Sequence, residues 1–186
     1  SFIFDLREAA KPRLAAQFGD ADGYAHPHSF LRLPNGNVLG TFQMRHDGGR
    51  MLPGGLVEMT TTGQVVRSSS ANAPGIGADL RVYSAGIVPA LDRIVTTTTD
   101  MDKDTPSSRT LQLWRLSDLA LLTSFQLPHG PAGNEGSLSA EPRLMADGKT
   151  LLVSTFYCGL YLVEGIDGDA PSARLVSSFP QKKGTN

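Results

Sequence analysis

The chain has 186 residues, 40% hydrophobic and 19% charged, which suits one ordinary domain with a substantial core and excludes a disordered chain. Seventeen basic residues against eighteen acidic ones leave a net charge of -1, which offers no electrostatic footprint for nucleic acid or an anionic membrane surface. No apolar run approaches the roughly 18 to 20 residues that a membrane span needs.

The opening SFIFDLREAA has no basic region ahead of an apolar core, so it does not read as a secretory leader. The sequence is that of a soluble chain and leaves a secreted or periplasmic compartment open. Cys158 stands alone, which rules out an internal disulfide and an all-cysteine zinc site. Twenty glycines and twelve prolines, with few helical patterns around them, read as turns between many short strands.

In chain order, LREAAKPRLAAQF is the nearest approach to an amphipathic helix, and Pro12 interrupts it. Three longer segments then share one order of events: an apolar run, a turn, a β-rich run, a loop and two further strands. They begin at HSFLRLPNGNVLGTFQ, VYSAGIVPALDRIVTTTT and AEPRLMADGKTLLVSTFY. Their turns recur every 56 residues, at Gly36, Asp92 and Gly148, while Leu111 follows Leu56 by 55 and precedes Leu160 by 49. The opening segment matches the last two strands of the same unit.

Asn35-Gly36 and Asp147-Gly148 are turn pairs because both residue types tolerate positive φ. NVLGTFQ, RIVTTTT and TLLVSTFY are dense in β-branched and aromatic residues, which suits strands covered on both faces. The expected fold is therefore all-β: a β-propeller portion of about three and a half four-stranded blades. The half-blade is 1–20, and the blades are about 24–71, 79–128 and 138–180. Known propellers have roughly four to eight blades, so this portion is expected to belong to a larger ring. Its open end faces would seat the remaining blades or another chain. Val57, Leu111 and Leu160 are expected to be buried. A twisted β-sandwich of about fourteen strands is the alternative.

PHSFLRLPNGNVLGTFQ with GGLVEMTTTGQVV resembles an early blade of the selenium-binding-protein and methanethiol-oxidase type propellers. TLQLWRLSDLALLTSFQLP resembles a later blade of that family, and AEPRLMADGKTLLVSTFYCGLYLVEGID is similar in style. The resemblance implies a seven-bladed ring, copper held by histidines, and oxidation of a small sulfur compound. His28 falls at the first histidine of the family's His-x-x-His-Cys run. Leu31 and Arg32 occupy the places of the second histidine and the cysteine.

In a propeller the innermost strand of each blade lines the central channel. The register brings Tyr24, His26, His28, Tyr83, Glu141 and Arg143 towards one end of it. Strand alternation puts His26 and His28 on one side, so the two imidazoles and the Glu141 carboxylate form a candidate metal site. Tyr24, Tyr83, Arg143 and His129, the last in a Gly/Pro loop over the channel mouth, are candidate ligand-binding residues. The plain alternative is that these side chains bond only to backbone and water. His46 reads as a solvated loop residue and Cys158 as an isolated buried thiol.

GIGADL leads into no helix and is not a nucleotide loop. DMDKD, Asp100 to Asp104, lacks the glycine and distal glutamate of an EF-hand and reads as a hairpin tip. No Gly-x-Ser-x-Gly elbow is present, so no catalytic residue is assigned. Two functions stay open: a copper-dependent oxidoreductase, and a non-catalytic propeller that binds a protein or small ligand through its loops.

Overall fold

The computed structural model describes residues 1–19, 21–100 and 105–179. Residues 101–104 of the DMDKD stretch lie outside the described residues. Fourteen strands among the described residues form four antiparallel sheets, one of two strands and three of four. The first holds β1 (Phe2–Asp5) and β2 (Arg13–Gln17). The second holds β3 (Tyr24–Arg32), β4 (Val38–Asp47), β5 (Arg50–Met59) and β6 (Val65–Ser70). The third holds β7 (Val82–Val88), β8 (Arg93–Thr98), β9 (Thr110–Arg115) and β10 (Leu121–Gln126). The fourth holds β11 (Ser139–Leu144), β12 (Leu151–Thr155), β13 (Gly159–Glu164) and β14 (Ser172–Ser178).

Within every sheet, neighbours in space are neighbours in sequence. Each sequence repeat thus folds as one sheet and is not divided between two facing layers.

The recurring turns have one backbone requirement in common. Gly36, Asp92 and Gly148 all adopt left-handed φ values, of 88°, 57° and 73°. A side chain in this region is strained unless it finds compensation. Asp92 finds it, because its carboxylate accepts both the backbone N–H and the hydroxyl of Ser117, at 2.7 and 2.8 Å. Asn35 and Asp147 shape the other two turns through side-chain acceptors to Asn37 N–H and to Lys149 and Thr150 N–H.

The sheets pack in chain order, with one apolar layer between each successive pair. Tyr24, Phe42, Val57 and Met59 form the layer on the first side of the second sheet, joined by Phe18. Leu39, Leu56, Val82, Ile94 and Trp114 fill the next layer, and Val95, Leu111, Leu113, Val153 and Tyr161 the last. The third sheet is covered on both faces, so β8 and β9 are buried almost without a break. The fourth sheet is covered on one face, and β12 and β13 accordingly alternate between buried and half-buried.

This alternation corrects one expectation. Val57 and Leu111 are fully buried, but Leu160 is half-buried, because it lies on the less covered face of the fourth sheet. Leu144, Val176 and Phe179 in that unit, and Phe2, Phe4 and Leu14 in the first sheet, leave much of their apolar surface exposed.

Polar contacts fix how the sheets sit against one another. The Thr41 hydroxyl accepts the Ser29 N–H within its own sheet and donates to the Tyr83 carbonyl of the third sheet, at 2.9 and 2.7 Å. Fifty-six residues on, Thr97 repeats the arrangement, accepting from Ser84 N–H and donating to the Ala140 carbonyl. At the outer end, Glu58 accepts from Asn35, Asn37 and Arg67, and Arg67 also reaches the Leu116 and Ser117 carbonyls of the third sheet. Burial pushes the Glu58 carboxyl up, but these donors outweigh it and hold the group below its ordinary value.

Two outcomes follow for stability. Thr97→Val keeps the shape but leaves Ser84 N–H and the Ala140 carbonyl without this partner. It should cost about 1–3 kcal/mol in urea unfolding, whereas Val176→Thr should stay within about 0.5 kcal/mol. Because the Glu58 pKa is depressed on folding, its contribution is present above its ordinary value of 4.5 and is lost as pH falls through the lower folded value. Acid unfolding curves should therefore fall less steeply below pH 4.5 in Glu58→Gln than in the parent chain.

Candidate functional site

The first strand of each four-stranded sheet carries a register irregularity at the same place: between Pro27 and Phe30, Val82 and Ala85, and Ser139 and Pro142. A bulge of this kind sets an extra residue into a strand and re-aims the side chains beside it. The re-aimed pairs are His28-Ser29, Tyr83-Ser84 and Ala140-Glu141. Since Thr41 and Thr97 tie each first strand to the next sheet, the three bulges come side by side.

Across them runs a continuous polar row. His28 Nδ1 lies 3.1 Å from Ser29 Oγ, which donates to Ser84 Oγ at 3.3 Å. Ser84 Oγ donates in turn to Glu141 Oε2 at 3.0 Å, and Arg143 Nη2 approaches the same oxygen at 3.4 Å. The imidazole of His28 stacks on the ring of Tyr83, with centroids 3.6 Å apart, and Phe156 meets Tyr83 edge-on at 6.0 Å. Burial pushes the Tyr83 phenol above its ordinary pKa, and the negative charge of Glu141 adds to the rise.

An open groove of about 450 Å³ lies along the row, bounded by Ser29, Ser84, Glu141, Arg143, Arg32 and Phe30. Gly86 leaves room for the Leu151 and Pro142 side chains of the fourth sheet, since a Cβ there would fall 2.6 Å from Leu151 Cδ2. The groove is lined by two hydroxyls, one carboxylate and two guanidiniums, interspersed with Phe30, Leu31, Ala85 and Ile87, a composition suited to holding a small polar molecule.

Four of the residues singled out in the sequence meet here: His28, Tyr83, Glu141 and Arg143. Three do not. Tyr24 is buried in the core, edge-on to Phe42 and under the Arg45 guanidinium. His26 is exposed at φ 56°, so the backbone is not extended there and the alternation that would align it with His28 is interrupted. His129 is exposed in a loop whose Pro128 carbonyl accepts the Tyr161 hydroxyl and whose Gly130 packs on Leu175 of β14. That places it over the outer strands of the fourth sheet, away from the row.

His46 lies near the end of β4 and not in a loop, and it is exposed as expected. Cys158 is half-buried, with a left-handed φ of 63°. The residues missed from the sequence are Ser29, Ser84 and Arg32. The two serines recur at a spacing of 55, at the same register in two repeats, and that recurrence was the available signal.

The donor set does not suit the copper that the family resemblance implies. Among the described residues, no group of three or more His, Cys, Asp or Glu side chains could hold a metal ion. Glu141 is already engaged by Ser84 and Arg143, and His28 by Ser29 and the face of Tyr83. No helix among the described residues is long and apolar enough to cross a membrane.

No family model matches the chain, and no curated protein matches it. Solved structures do. The chain is similar to a eukaryotic initiation factor, with a TM-score of 0.50 and 11% identity over 88% of this chain and 35% of the other. It is also similar to an exported protein of Bacteroides fragilis, with a TM-score of 0.51 and 13% identity over 98% of this chain and 42% of the other. The chain thus spans less than half the length of either, and at such identities the likeness is one of fold alone.

The coupling between Glu141 and Tyr83 can be measured directly. Replacing Glu141 by Gln should lower the Tyr83 titration midpoint while leaving it above 10.0, because burial of the ring remains. Ring carbon chemical shifts followed through the alkaline range would read this. An unchanged midpoint would mean that the carboxylate does not face the ring.

Proposed function

We propose that the chain is a portion of a β-propeller and that it acts as a binding scaffold, holding a small polar ligand against the first strands of successive blades. In this reading each four-stranded sheet is a blade, and the bulged strands β3, β7 and β11 face the central channel. One observation carries the proposal: three bulges in separate repeats converge on a single hydrogen-bonded row beside a groove. Half-solvated hydroxyls and charges add little to the packing between sheets, which Thr41 and Thr97 already hold in register, so ligand recognition gives the row a use. The groove's volume falls within the roughly 300–1,000 Å³ common for small-molecule sites. The exposed apolar faces of the first and last sheets would then seat further blades.

The second reading is the copper-dependent oxidase of small sulfur compounds implied by the selenium-binding-protein resemblance. What favours it is the exposed imidazole of His28 on the row. It needs further ligands that the described residues do not gather around that ring.

Amide chemical-shift mapping with a library of small polar fragments separates the readings. The scaffold reading expects shifts at Ser29, Ser84 and Glu141, weakened at least several-fold in Tyr83→Ala. Shifts confined to the 128–137 loop would overturn it in favour of loop-mediated binding. Stoichiometric copper uptake that is lost in His28→Ala would overturn it in favour of the oxidase.

A further inference from the structure

We infer that the groove beside the bulged strands takes a small organic monocarboxylate, with Arg32 and Arg143 holding its carboxylate and Glu141 limiting it to one negative charge. This rests on the scaffold reading above and adds the chemical class of the ligand.

The charge balance comes first. Two guanidiniums, Arg32 and Arg143, and one carboxylate, Glu141, line the groove, so its wall carries one net positive charge. Among the described residues Arg32 has neither an ion pair nor a side-chain hydrogen bond, and it is exposed. Arg143 is close to spare as well. It meets Glu141 through one nitrogen at 3.4 Å, not as a bidentate fork, and its side chain is 74% exposed. A guanidinium has five N–H donors, so most of the donor capacity of both arginines remains available to a planar carboxylate.

The sign and size of the ligand's charge follow. A cation would face the net positive wall, and a neutral molecule would leave that charge uncompensated. A phosphate dianion would gain from both arginines but would be set against Glu141, which Ser84 holds in place at 3.0 Å. A single carboxylate balances the wall. Beside the Ser29 and Ser84 hydroxyls, the lining also carries Phe30, half exposed, with Leu31, Ala85 and Ile87, so a ligand with a small hydrocarbon or aromatic body finds apolar contact there.

Benzoate serves as the probe, with benzamide as its neutral counterpart and inorganic phosphate as the dianion, each titrated into the intact chain by ligand-observed NMR. The expected result is saturable benzoate binding that weakens with added sodium chloride and exceeds benzamide binding. Arg32→Gln or Arg143→Gln should each lower benzoate affinity about tenfold, the order expected for one charge-assisted contact. Glu141→Gln should tighten benzoate several-fold and admit phosphate.

Should an arginine variant fail to fold, the salt dependence and the benzamide comparison on the parent chain still decide the matter. Equal binding of benzamide and benzoate, or indifference to salt, would overturn the monocarboxylate assignment and leave the scaffold reading standing. The absence of saturable benzoate binding would likewise overturn the assignment. If, in addition, no fragment shifted the Ser29, Ser84 or Glu141 amides, the scaffold reading would fall too.

Discussion

The structure depends on one interaction made twice: a threonine hydroxyl in a second strand that accepts from its own sheet and donates to the next. Thr41 and Thr97 each have a single proton to give, and each gives it to a backbone carbonyl across the layer. Apolar packing supplies most of the attraction between sheets but is non-directional, and would tolerate sliding. A buried hydroxyl-to-carbonyl bond does not, because slippage would leave both groups unpaired away from water. The clamps therefore set the position of one sheet's first strand against the next, and that position decides whether the bulges line up.

The proposed ligand binding depends on that alignment. None of His28, Ser84 or Glu141 makes a site by itself, and they belong to three different sheets. Brought side by side, they relay hydrogen bonds from an imidazole to a carboxylate. The third sheet, buried on both faces, is the best-covered member, and it contributes the two central residues of the row, Tyr83 and Ser84. Placing the middle of a site on the best-covered element limits its motion, which favours recognition of one ligand shape.

Much of the architecture is legible in the sequence because turns and periodicity are local. Gly36, Asp92 and Gly148 mark the same backbone conformation, and their even spacing gave the three repeats. The site is less legible, because its one recurring signal, Ser29 and Ser84, does not by itself reveal a bulge. Reading β3 as an unbroken alternation put Tyr24, His26 and His28 on one face. In the structure Tyr24 turns into the core and His26 adopts a left-handed φ. His129 could not be placed from its loop alone, since the contacts of Pro128 and Gly130 with Tyr161 and β14 come from distant sequence. Burial of Leu160 depended on a neighbouring sheet that its own strand cannot reveal.

The juxtaposition of His28 and Tyr83 tests the central claim most directly, because these rings come from separate sheets and touch only if the clamps hold the stated register. The rings are stacked 28° from parallel with centroids 3.6 Å apart. In isotopically labelled protein, strong nuclear Overhauser effects should connect the imidazole protons of His28 with the ring protons of Tyr83. Their absence, with each ring showing effects only to its own sheet, would contradict the alignment and with it the polar row.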